Sequence, residues 1–71
     1  MSQELIVQFL IENPEFAFNK WQIAEALNMN VDSCRTYLNR LKESGTIGWR
    51  NEQKINANGA ISVYLIYFKK Q

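Results

Sequence analysis

The sequence contains no histidine and a single cysteine, Cys34. One thiol excludes a disulfide within the chain, and without histidine the usual zinc ligand sets cannot be assembled, so no metal is expected. The same absences remove Ser-His, Cys-His and Cys-Cys catalysis. The three glycines nowhere form GxxxxGK or GxGxxG, so there is no phosphate-cradling loop. Glu12 and Glu15 are a carboxylate pair by spacing alone. They flank Pro14 on an open turn and read as solvated acids. Neither an enzyme nor a cofactor is expected, and Cys34 reads as a small buried hydrophobe.

Long apolar runs and blocks of like charge are also missing. The opening MSQELIVQFLIENPEF has no basic leader, and its apolar stretch is interrupted by Gln8 and closed by Glu12. Neither a signal peptide nor a membrane span fits, and the expected location is cytoplasmic. At 71 residues, 46% hydrophobic and 21% charged, the chain has the composition of one small globular domain covering 1–71.

Net charge is only +1, but its distribution is uneven. Residues 1–34 carry Lys20 against Glu4, Glu12, Glu15, Glu25 and Asp32, four units negative. Residues 35–71 carry Arg35, Arg40, Lys42, Arg50, Lys54, Lys69 and Lys70 against Glu43 and Glu52, five units positive. An acidic first half and a basic second half suit a phosphate backbone as partner.

The single proline, Pro14, breaks the first helix, expected over about 2–13 with Ser2 as N-cap. Leu5, Ile6, Phe9 and Leu10 form its core stripe. At about 100° per residue they cover about 140°, and Val7 and Ile11 widen the apolar arc to about 240°. Two readings are open: Val7 and Ile11 are an interface to a second copy or a partner, or they sit under the C-terminal strand. Phe16 and Phe18 fall on one side of an extended segment, a short strand near 16–18 or an anchoring loop.

Asn19 opens the second helix, about 20–27, with Gln22 at capping-box spacing and Trp21, Ile23, Ala24 and Leu27 as apolar positions. Asn28 suits a left-handed turn, and Asn30 caps a third helix over about 31–44 that Gly45 closes. On that helix Val31, Cys34, Tyr37, Leu38 and Leu41 face the core. Asp32, Arg35, Thr36 and Asn39 lie opposite, with Ser33 and Arg40 at the edge. After Gly45 the period changes to two. TIGWRN and ISVYLIYF read as strands around the turn signal NANG, a hairpin over about 46–69 in which Trp49, Tyr64 and Tyr67 pack. A four-residue loop at 56–59 pairs Ile47 with Phe68; a two-residue loop at 58–59 gives another register. Either way the tip EQKINANGA reads as weakly structured.

WQIAEALNMNVDSCRTYLNRLKESGTI resembles the helix-turn-helix core of winged-helix transcriptional regulators, through Ile23, Ala24, Leu27, Asn28, Asn30, Cys34, Leu38, Leu41, Gly45 and Ile47. With its flanks the resemblance spans nearly the whole chain, and size and layout are most similar to the small single-domain regulators of fimbrial operons. It implies an α+β fold: three helices followed by a two-stranded β-hairpin wing. It also implies double-stranded DNA as partner, with the third helix in the major groove. Arg35 would donate to guanine, Asn39 would pair with adenine and Thr36 would touch a thymine methyl. Ser33 and Arg40 would meet phosphates, and Arg50, Lys54, Asn56 and Asn58 would serve the wing on the minor groove or backbone. One such domain covers few base pairs, so a homodimer, tandem sites or a protein partner is implied. The rival reading is a winged-helix protein-interaction module, such as an adaptor or inhibitor of a nucleic-acid enzyme, suggested by the low net charge and the acidic first half.

Overall fold

The computed structural model describes residues 2–70. Three helices, α1 (Ser2–Glu12), α2 (Lys20–Ala26) and α3 (Val31–Ser44), precede an antiparallel hairpin of β1 (Ile47–Ile55) and β2 (Ile61–Lys69). This α+β layout is consistent with a winged-helix arrangement. No helix among the described residues is long and apolar enough to cross a membrane.

Each helix boundary has a local cause. Ser2 is already helical, and the cap expected of its side chain lies outside the described residues. Helix α1 ends at Glu12 rather than Asn13, whose side chain folds back to donate to the Phe9 carbonyl at 2.7 Å. At the start of α2, Asn19 accepts from the Gln22 N–H at 2.8 Å while the Gln22 side chain accepts from the Asn19 N–H at 2.9 Å, completing the capping box. The same helix closes in a Schellman pattern: Met29 N–H reaches Ala24 O, Asn28 N–H reaches Glu25 O, and Asn28 takes φ 52°. Asn30 then caps α3 by accepting from the N–H groups of Asp32 and Ser33. Gly45, at φ 77°, ends α3 with a second such pattern in which Thr46 N–H reaches Leu41 O. The expected tight turn is therefore built from two asparagines with separate tasks, one stopping a helix and one starting the next.

The core is one cluster: Ile6 and Leu10 of α1, Ile23 and Ala24 of α2, Cys34, Leu38 and Leu41 of α3, Ile47 of β1 and Tyr67 of β2. Every element contributes, so the helices and the base of the hairpin order together. Phe18 joins the sheet by a single bridge, exchanging hydrogen bonds with Tyr67 of 2.9 and 2.8 Å. Phe18 also packs on Phe9 with ring centroids 4.8 Å apart, so the segment before α2 is anchored to both α1 and β2.

Several apolar positions lie differently from the expectation. Leu5 is 52% exposed and Ile11 47%, while Val7 packs half-buried against the core. The core takes only the stripe through Ile6 and Leu10, because a small domain covers one side of a helix. Val7 and Ile11 both border a cleft with Ile47, Lys69 and Lys70, so they lie beside the strand ends. Trp21 and Trp49 are surface residues rather than core. Ile23 and Ala24 already fill the inner face of the short α2, and Trp49 is half-covered by Lys42, whose Nζ lies 4.6 Å from the ring centroid.

The hairpin register is neither of the two expected. Ile55 pairs with Ile61 and Ile47 with Lys69. Asn56 N–H reaches Ala60 O, Gly59 N–H reaches Asn56 O, and Gly59 takes φ 85°. This is a three-residue loop with the glycine as bulge, which a count of turn residues alone does not separate from its neighbours. The strands run out to Ile55 and Ile61, so only 56–60 of the expected loose tip is loop. The molecule measures 40 × 26 × 21 Å.

Candidate nucleic-acid interface

Because Cys34, Leu38 and Leu41 are buried and Val31 and Tyr37 pack beside them, the opposite side of α3 turns outward, and Ser33, Arg35, Thr36, Asn39 and Arg40 are all exposed. Arg35, Asn39 and Arg40 have no ion pair and no side-chain hydrogen bond among the described residues. The Thr36 hydroxyl donates to the Asp32 carbonyl at 3.1 Å, which commits its proton to the helix and leaves the methyl as its outward offering. Asp32 sits in the first turn of α3, where a carboxylate is favoured by the unpaired amides of the helix start. Its place needs no pairing with Arg35.

The register divides the hairpin into two faces. Trp49, Asn51, Gln53 and Ile55 share one with Ile61, Val63, Leu65 and Tyr67; Gly48, Arg50, Glu52 and Lys54 share the other with Ser62, Tyr64, Ile66 and Phe68. The first face turns toward the helices. There Asn51, Val63, Leu65 and Tyr67 meet Lys20 and Trp21 of α2 and Arg35 and Asn39 of α3 around a cleft of about 290 Å³, to which Tyr64 also contributes. Two of the expected recognition residues are thus brought together in one concavity, while Ser33, Thr36 and Arg40 stay on the open surface of α3.

The expected wing residues do not join them. Arg50 lies on the far face, where its Nη2 is 3.2 Å from Glu52 Oε1 and its guanidinium stacks 5.7 Å from the Phe68 centroid. Asn56 donates to Ser62 Oγ and Asn58 accepts from Ala60 N–H, so both side chains hold the turn. Lys54 is exposed on the far face near the hairpin end and has no ion pair among the described residues. Lys20, Asn51 and Val63 are cleft residues that sequence reading did not assign to a site, and Trp21 was expected in the core. Lys20 and Trp21 look like cap-proximal and core positions, and the partners of Asn51 and Val63 follow only from the register.

Beneath the cleft the chemistry is inert. Cys34 is fully buried with its Sγ 3.7 Å from the Lys20 carbonyl, and burial raises its pKa above the ordinary thiol value. Tyr67 is raised by burial and, secondarily, by the neighbouring Cys34. Both stay protonated at neutral pH and supply packing rather than nucleophiles. No protein-family model and no curated protein matches the chain.

Proposed function

We propose that the chain is a small sequence-specific DNA-binding regulator of the winged helix-turn-helix class, acting in the cytoplasm and without catalytic activity. The observation that carries this reading is the outward side of α3, where Arg35, Thr36 and Asn39 are exposed behind a helix fixed at both ends. A guanidinium, a methyl and a carboxamide suit the edges of guanine, thymine and adenine in the major groove. Arg40 and Ser33 beside them suit the flanking phosphates, and Lys54 on the hairpin suits a more distant one. A salt titration against random duplex DNA tests the reading. Log affinity should fall steeply with log salt, and absence of binding even at low salt would end it.

The specificity of one such domain calls for a second copy or a partner, and the exposed Ile11 with the neighbouring Val7 is the contact proposed for it. A second reading, a protein-interaction module, is favoured by one observation: Ile55, Ile61 and Val63 are 74%, 62% and 62% exposed on a single hairpin face. Under that reading Ile61→Glu abolishes the activity and Arg35→Ala does not; the DNA reading expects the reverse.

A further inference from the structure

We infer that the cleft between the hairpin and the helices is a binding site for one nucleotide unit, an unstacked base with its phosphate, supplied either by a free mononucleotide or by a single strand. The site shares Arg35 and Asn39 with the proposed duplex surface and adds Lys20, Trp21 and Asn51 to them.

The lining matches that ligand group by group. Trp21 is 56% exposed and borders the cleft, offering an indole plane on which any base can stack. Lys20 Nζ lies 4.7 Å from that ring's centroid, so a phosphate-binding cation and a stacking plane come as one unit, and the cation occupies only one of the two ring faces. Arg35 supplies a second positive charge. Asn39 and Asn51 approach from different elements, α3 and β1, and each carboxamide offers a donor and an acceptor of the kind that reads a base edge. Val63 and Leu65 give an apolar wall, and no acidic side chain lines the cleft. A phosphate would therefore meet two cations and no repelling carboxylate. Base pairs in a duplex bury their faces against one another, so a site built around an exposed indole selects the unpaired nucleotide.

Single-tryptophan protein carrying Trp49→Phe makes fluorescence report on Trp21 alone. The probes are adenosine monophosphate, a short single-stranded oligodeoxyadenylate and a duplex. Saturable quenching by the mononucleotide identifies a free nucleotide as the source, and quenching by the single strand alone identifies a strand; either result supports the site. Asn51→Ala and Lys20→Glu should each weaken that binding at least about tenfold. Lys20→Glu keeps the fold testable even if Asn51→Ala does not, since an acid is favoured in the first turn of a helix. No quenching by either unpaired probe up to about 10 mM would overturn the site. So would quenching indifferent to both variants, or quenching by the duplex with the same dependence on Asn51. Loss of duplex binding with retained mononucleotide binding would remove the regulator reading and leave this one standing.

Discussion

Phe68 lies across Gly48, filling from the opposite strand the space that any side chain at residue 48 would occupy. A glycine inside a strand weakens it by itself, and an aromatic ring laid over it restores the lost packing. The Arg50 guanidinium stacks on the same ring, so the far face of the hairpin is held by an interaction that begins with a missing side chain.

Replacing Gly48 by valine should therefore destabilise the protein despite the better strand propensity of valine. The ring has to leave its place, and the expected cost is about 1–3 kcal/mol in chemical unfolding, typical of overpacking. A neutral or stabilising effect would show that the ring contributes nothing there.

At the interface, Arg35→Ala should erase sequence preference at a cost of about 1–3 kcal/mol for the best site, with little effect on random DNA. Lys54→Ala should weaken binding to every duplex and lower the salt slope by about one ion. Competition binding with a selected and a scrambled duplex separates the two; matching losses for both variants on both duplexes would contradict the division of labour.

The two turn asparagines are separable by substitution. Asn28→Gly should be neutral or stabilising, because φ 52° is free of steric penalty only for glycine. Asn30→Ala should cost about 1 kcal/mol, as it removes the acceptor for the first amides of α3. Thermal midpoints that move together would refute separate roles.

Val7 and Ile11 should also part company. Ile11→Glu should leave the unfolding midpoint nearly unchanged and dissociate any dimer seen by sedimentation. Val7→Glu should destabilise the monomer itself, because its side chain packs against the core. A stable, still dimeric Ile11→Glu protein would eliminate that surface as the contact.

Alkaline pH should destabilise the fold. Cys34 and Tyr67 both have folded pKa values raised above their ordinary 9.0 and 10.0. The unfolded chain therefore loses these protons first. Stability is complete below about pH 9 and falls as pH rises through the folded values. Urea midpoints at about pH 8 and about pH 10 check the sign, and removing the thiol with Cys34→Ala should flatten part of the slope. In the native protein at neutral pH the same thiol should resist thiol reagents until the chain unfolds.

What the sequence alone determined is what depends on near neighbours. The Asn19–Gln22 box, the Asn30 cap and the left-handed closures at Asn28 and Gly45 are contacts within a few residues, and each was legible as spacing. The order of three helices and a hairpin followed from the change of period after Gly45, and the outward side of α3 from the helical wheel. Which apolar residues the core would accept was not legible, because Leu5, Trp21 and Trp49 satisfy the same local pattern as their buried neighbours and lose only when the elements compete for one small interior. The hairpin register likewise turned on a single bulge at Gly59, and a shift of one residue exchanges the two faces. That choice placed Asn51 and Val63 beside Arg35 and Asn39 and sent Arg50 to the far side. The cleft therefore exists only in the tertiary structure, since its walls come from four elements, α2, α3, β1 and β2, whose relative placement no local rule contains.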